Sequence, residues 1–254
     1  MNALAIAVVV LACVFGGALA GLFLRTRLPD DHLKDESKEI IKLGIGVIST
    51  MAALVLGLLV SSAKSSFDRT GDELTLSSAK VVQLDSVLVQ YGPEASDIRD
   101  RLRQIFRGTV DALLSQDDSR LAQVRAPKAG AHVEDFQAGI RALAPTSDDQ
   151  RSLRSQAQAL VEEMSATRVL LLLQQHDSIS TPLLVVVVAW LTLIFVGFGL
   201  FTPRNATVIA SLFLCALAVS GAIFLILEMD DPLAGMVRIS DEPMRRALAI
   251  LTNR

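Results

Sequence analysis

Residues 43–63 read LGIGVISTMAALVLGLLVSSA, a stretch that contains no Asp, Glu, Lys or Arg. About 20 residues of helix, at about 1.5 Å each, are enough to cross a hydrocarbon core of about 30 Å. Three more stretches of similar length also lack these charged residues, and they lie at 3–24, 181–201 and 206–227. We therefore predict four membrane-spanning helices, and the sequence excludes a soluble globular protein.

The overall composition agrees with a membrane protein and excludes other classes. Hydrophobic residues make up 51% of the 254 residues, and the formal net charge is −3. A nucleic-acid-binding protein would present a basic surface, so we expect no nucleic-acid partner. The two cysteines lie inside apolar stretches and the three histidines are scattered. We therefore expect no disulfide framework, no metal site and no cofactor.

The distribution of charge divides the chain into segments. We predict a retained transmembrane helix 1 at 1–24, because Met1-Asn2 lacks the positive charge of a signal peptide. The other predicted segments are a short charged loop at 25–42, transmembrane helix 2 at 43–63, a helical stalk domain at 64–180, transmembrane helix 3 at 181–201, transmembrane helix 4 at 206–227, and a tail at 228–254 with a short amphipathic helix. The predicted fold class is an all-α membrane protein.

The insert at 64–180 is predicted to be helical throughout. Apolar residues keep a heptad-like spacing from Phe67 to Tyr91, so helix 2 is expected to continue without a break until Gly92-Pro93 ends it. Apolar periodicity indicates further helices around 98–113, 133–143 and 153–164. Ser240-Asp241-Glu242-Pro243 predicts the start of a terminal helix, which would lie on the membrane surface or dock against the stalk.

Helix 2 carries the most informative pattern. Small and weakly polar residues recur along it at spacings of three and four, and they are Gly46, Thr50, Ala53, Gly57 and Ser61. This spacing places them on one face of a helix. In lipid, such a face favours a tight helix–helix seam, because small residues let backbones approach closely. The alternative is a pore wall lined by glycines and hydroxyl groups.

Charged residues next to the spans are candidates for the mouth of such a pore. Lys64 and Asp68 follow helix 2, while Glu228 and Asp230 follow helix 4. Each could also be an ordinary solvated or snorkelling helix end.

Helix 1 carries a Gly17-x-x-x-Gly21 pattern, with Ala12, Gly16 and Ala20 on a related face. This pattern predicts close packing against helix 2 or a neighbouring subunit.

Motifs for catalysis are weak. Ser61-Ser62-Ala63-Lys64 satisfies a Ser-x-x-Lys pattern, but the companion motifs of penicillin-binding enzymes are missing. We therefore expect that the protein is not an enzyme.

Lysine and arginine in short loops predict the membrane topology. Arg25, Arg27 and Arg204 favour a cytoplasmic location for the first and third loops, although Lys64, Arg69 and Arg168 on the other side oppose it. The expectation is a multi-pass protein of a bacterial inner membrane, with the insert and both termini in the periplasm.

Three parts of the sequence resemble the bestrophin-like domain family of bacterial and plant membrane proteins. They are LPDDH at 28–32, VLGLLVSSAKSSFD at 55–68, and DPLAG at 231–235 together with PMRRAL at 243–248. The name implies similarity to bestrophins, which are pentameric anion channels with four spans and a helical region between spans two and three. The resemblance implies a pore lined by helix 2, at Thr50, Gly57 and Ser61, and it implies a cytoplasmic insert, which opposes the charge-based topology.

Three roles remain open at this point, and one of them is a purely structural membrane protein. The first is a homo-oligomeric, bestrophin-like channel or channel-like pore that transports ions, with anions preferred. The second is a non-conducting membrane sensor that signals to a partner through its helical insert. The lipid bilayer is a partner in all three.

Overall fold

A computed structural model describes residues 2–27, 35–114, 129–174, 181–230, 237 and 239–253. The α-helices are α1 (Ala3–Leu24), α2 (Asp35–Tyr91), α3 (Ser96–Leu114), α4 (Ala129–Ala142), α5 (Asp148–Gln174), α6 (Thr181–Phe201), α7 (Ala206–Asp230) and α8 (Glu242–Thr252). These described ranges contain no β-strand, and α1, α2, α6 and α7 are long and apolar enough to cross a membrane. The predicted all-α membrane fold is confirmed. The motifs at 28–32 and 231–235 lie outside the described residues.

Helix α2 starts earlier than the sequence analysis predicts. It begins at Asp35, so the last part of the predicted loop at 25–42 is helical. That part contains neither Gly nor Pro, and acidic residues in the first turn of a helix favour its macrodipole. The helix ends at Tyr91 because Gly92 has φ +121°, which favours glycine, and Pro93 follows.

The chain divides into two compact units. The first comprises Met1–Phe67 and Ser178–Asp231, and the second comprises Asp68–Asp177 and Pro232–Arg254. The first boundary therefore lies inside α2, a few residues beyond the predicted end of transmembrane helix 2.

In the first unit, α1 packs closely against α6. A Cβ atom added at Gly17 would lie 2.8 Å from the Thr192 methyl group, and one added at Gly21 would collide with the Val196 carbonyl oxygen. On α6, a Cβ at Gly199 would collide with the Ala18 carbonyl oxygen. The two backbones approach so closely because these positions lack side chains.

Two polar contacts join α1 to other parts of the first unit. The buried Ser220 hydroxyl of α7 donates a hydrogen bond to the Ala7 carbonyl oxygen at 2.6 Å. The Arg204 guanidinium, in the turn between α6 and α7, donates to the Leu22 carbonyl oxygen at 2.8 and 3.2 Å. The second contact satisfies a carbonyl that the end of α1 would otherwise leave without a partner.

The second unit has a separate core formed by the last part of α2 with α3, α4, α5 and α8. Asp85 of α2 is fully buried and accepts hydrogen bonds from the Arg99 side chain of α3 at 2.9 and 3.3 Å. Helix α8 contributes Met244, Ala247 and Leu251 to this core. The sequence left two positions open for the terminal helix, the membrane surface and the stalk. The structure favours docking against the stalk.

The seam between α1 and α6 predicts different effects for two glycines of α1. Gly21→Ala should lower the melting temperature, because the new methyl group overlaps the α6 backbone and overpacking costs about 1–3 kcal/mol. Gly16→Ala should leave it unchanged or raise it slightly, because a Cβ there meets nothing within 4 Å. Fluorescence-detected thermal unfolding in detergent measures both. Equal melting temperatures for the two variants would contradict the close approach of α1 and α6.

Candidate pore-lining face of α2

The membrane-spanning part of α2 has three faces, and one of them is packed inside the first unit. Ala52, Leu59 and Ala63 are buried, the last two against residues of α1, α6 and α7. Ile45 lies on the same face and fills the space beside Gly197 of α6. This face fixes the rotation of α2 about its axis.

A second face carries large apolar side chains that contact no core. Val47, Met51, Leu54 and Leu58 are all exposed, and Leu54 is 73% exposed. Hydrocarbon is as apolar as these side chains, so this face suits contact with lipid tails.

The third face carries the small, weakly polar residues that the sequence analysis identified. Gly46, Thr50, Ala53, Gly57 and Ser61 are all exposed in the single chain. At about 100° per residue, the centre of this face lies about 140° from the centre of the buried face. A Cβ added at Gly46 or Gly57 would meet nothing within 4 Å. Within the described single chain, nothing packs on this face at those two positions.

Polar groups on this face are compatible with a lipid or an aqueous neighbour. The Thr50 hydroxyl donates a hydrogen bond to the Val47 carbonyl oxygen at 2.8 Å, so its proton is satisfied within the helix. Its oxygen lone pairs remain on the exposed face, where water or a permeating ion could contact them.

The candidate pore-mouth charges do not share one environment. Lys64 is exposed and its ammonium nitrogen lies 5.5 Å from the centroid of the Phe67 ring. Asp68 is also exposed, one turn later on α2, and it belongs to the second unit. Glu228, by contrast, is buried at 7% exposure, and Asp230 is half-buried. Glu228 is therefore part of the packed end of α7 and does not share the exposure of Lys64.

The glycine pair of α1 has a different partner from the expected one. Gly17 and Gly21 lie against Thr192 and Val196 of α6. Within the chain the partner is therefore α6 and not helix 2, and α6 supplies its own glycine at Gly199. Sequence reasoning missed Gly199, and the Gly197-x-Gly199 pair in the third span was the signal that could have identified it.

Side chains that could ligate a metal are dispersed among the described residues. In that part of the chain, no three His, Cys, Asp or Glu side chains lie close enough together to hold a metal ion. Cys13 and Cys215 are both free and exposed, on α1 and α7.

Comparison with protein families gives a match. A family model described as the Bestrophin-like domain matches residues 12–244, which is nearly the whole chain. Neither the curated proteins nor the solved structures include a match to this chain.

The difference between the faces of α2 predicts which substitutions the fold tolerates. Gly57→Leu should leave the melting temperature of the purified protein within about 2 °C of the wild-type value, because the new side chain enters open space. Ala63→Leu should lower it by several degrees, because Ala63 is buried and the larger side chain costs about 1–3 kcal/mol. Thermal unfolding at matched protein concentration tests the pair. A larger loss for Gly57→Leu than for Ala63→Leu would contradict the assignment of the faces.

Proposed function

The chain belongs to the Bestrophin-like family, and from this premise we propose that it forms a homo-oligomeric ion channel in which α2 lines the pathway. The observation that carries the proposal is the open face of α2 from Gly46 to Ser61. It is neither packed inside the single chain nor built from the large apolar side chains that suit lipid.

An oligomer follows from the position of this face. One copy exposes it on its surface and has no second wall to enclose a pathway. Several copies around a common axis would bring the same face of α2 to the centre, while Val47, Leu54 and Leu58 would stay at lipid or at a neighbouring subunit. Closed rotational symmetry is the usual arrangement of homo-oligomers.

The chemistry of the face suits the passage of ions. Glycine and alanine leave a wide lumen, and the hydroxyl groups of Thr50 and Ser61 can replace part of an ion's hydration shell. Lys64, one turn beyond Ser61, would form a ring of positive charge in the oligomer, and such a ring favours anions. We propose anions as the transported class, with the Lys64 ring next to Ser61 and a ring of Asp68 one turn further out. The role is transport rather than catalysis.

The location that we propose is a bacterial inner membrane, with the insert in the periplasm. The Arg204 guanidinium is held at the end of α1 near Arg25 and Arg27, so the short loops gather basic residues on one side of the first unit. Basic residues in short loops favour the cytoplasmic side.

Ion flux in liposomes tests the channel with a matched pair of variants. Gly57→Leu should reduce flux at least about tenfold, because a leucine side chain from every subunit would narrow the lumen and dehydrate it. Gly44→Leu makes the same change on the same helix, about 140° away, where a Cβ also meets nothing within 4 Å. Flux through this control should stay near the wild-type value. Exchange of chloride for gluconate and of potassium for a large cation identifies the ion class.

Size-exclusion chromatography of both variants distinguishes two causes of lost flux, a blocked pore and a disrupted helix–helix contact between subunits. Lost flux with an intact oligomer supports the pore, whereas lost flux with dissociated subunits supports a helix–helix seam at Gly57. No flux from the wild-type protein over a range of pH and calcium would overturn the channel and leave the non-conducting sensor as the explanation for the helical insert.

Labelling of single cysteines tests the topology. Cys13 and Cys215 are first replaced by alanine, and one cysteine is then placed at Gln83 in the insert or at Asn205 in the turn after α6, both of which are exposed. A membrane-impermeant maleimide added to spheroplasts should label the Gln83→Cys protein and leave the Asn205→Cys protein unlabelled until the membrane is opened. The reverse pattern would place the insert in the cytoplasm.

A further inference from the structure

Basic side chains gather at the end of the first unit where α1 and α6 terminate. Arg25 and Arg27 directly follow α1, and Arg204 follows α6 and is bonded to the Leu22 carbonyl oxygen. Lys42 of α2 reaches the same end, where its ammonium nitrogen lies 6.0 Å from the centroid of the Phe201 ring.

Arg25 differs from the other arginines of this end. Its Nη1 atom is buried and has no hydrogen-bond partner within the described residues. The Arg204 guanidinium already donates to the Leu22 carbonyl oxygen and to the Thr26 hydroxyl oxygen, and the Arg27 guanidinium lies 5.1 Å from the centroid of the Phe23 ring. A buried cationic donor without an acceptor is unfavourable, so Arg25 requires an acceptor from outside the described residues.

The total charge at this end is too small to attract an anionic ligand by diffuse electrostatics. Residues 25–42 together with Arg204 hold six basic and five acidic residues, so the two nearly cancel. The acidic residues are Asp30, Asp31, Asp35, Glu36 and Glu39; the side chain of Glu39 is exposed, and those of the other four lie outside the described side chains. Recognition of an anion at this end would therefore depend on the local arrangement of Arg25 and not on a large net charge.

From the length of α1 we infer that Arg25 lies near the depth of the membrane phosphates. Helix α1 has 22 residues, and at about 1.5 Å per residue it is about as long as the hydrocarbon core is thick. Arg25 immediately follows the last helical residue, at the level of the lipid headgroups. Phosphate oxygens are strong acceptors for a guanidinium group, and basic pockets between membrane helices bind anionic headgroups.

We propose that this end of the first unit binds the headgroup of an anionic phospholipid, with the half-buried Arg25 guanidinium as a donor to the lipid phosphate and with Arg204 held nearby as a second positive charge. The inference does not depend on conduction, because it concerns the far end of α1 and not the open face of α2.

Thermal unfolding of the full chain in detergent tests the site with three additives, which are phosphatidylglycerol, phosphatidylcholine and inorganic phosphate. Phosphatidylglycerol should raise the melting temperature of the wild-type protein by roughly 5 °C, as expected for a ligand that binds only the folded state. Phosphatidylcholine should raise it much less, because its choline group cancels the phosphate charge. Inorganic phosphate should have no effect, because it lacks the acyl chains.

Two arginine variants with the same net charge distinguish specific lipid binding at Arg25 from non-specific electrostatic attraction. Arg25→Gln should lose most of the phosphatidylglycerol shift, whereas Arg27→Gln should keep it. Without lipid, Arg25→Gln should melt no lower than the wild-type protein, because the wild-type donor has no partner to lose. If Arg25→Gln does not fold, Arg25→Lys replaces it and should give a smaller shift than the wild type.

Three results would overturn the proposal. Equal losses in Arg25→Gln and Arg27→Gln would indicate diffuse attraction, and equal shifts with the two lipids would show that the headgroup charge is not recognised. The same shift with inorganic phosphate would indicate a soluble anion as the ligand.

Discussion

The close approach of α1 and α6 is the contact on which the membrane-spanning unit depends. Lipid provides no hydrophobic drive for helices to associate, so α1 and α6 gain their contact from tight packing at Gly17, Gly21 and Gly199. The same helix α6 then receives α2, because Gly197 leaves room for the Ile45 side chain. Two glycines on α6, two residues apart, thus hold α1 and α2. The rotation of α2 follows from this arrangement, and with it the identity of the face that stays open.

That rotation connects the packing of the bundle to the proposed function. Leu59 and Ala63 of α2 are turned inward, against the core of the first unit. The residues that leave space, such as Gly57, are turned outward. The glycines of this face leave space that a neighbour must fill, and the oxygen lone pairs of Thr50 and Ser61 find no donor among lipid tails. A second copy of the chain or a water-filled lumen gives this face a neighbour that suits its chemistry.

Much of the fold could be predicted from the sequence, because the signals were long and local. The four spans follow from charge-free stretches of sufficient length, and the end of α2 at Tyr91 follows from Gly92 and Pro93. The small residues of α2 could be placed on one face by spacing alone. The start of α2 at Asp35 was missed because a charged segment was interpreted as a loop, although its residues are compatible with a helix.

Features that depend on contacts between distant segments could not be predicted. The partner of Gly17 and Gly21 depends on which helix supplies a matching small residue, and spacing within α1 carries no such information. The burial of Glu228 likewise depends on the packing around the end of α7.

The central claim, that the open face of α2 lines an aqueous pathway, is tested most directly by single cysteines placed along 46–61 in a chain without Cys13 and Cys215. We predict that a water-soluble thiol reagent modifies positions 46, 50, 53, 57 and 61 in the liposome-reconstituted oligomer and spares positions 47, 54 and 58. Uniform protection of all eight positions, or modification of the second set alone, would contradict the account.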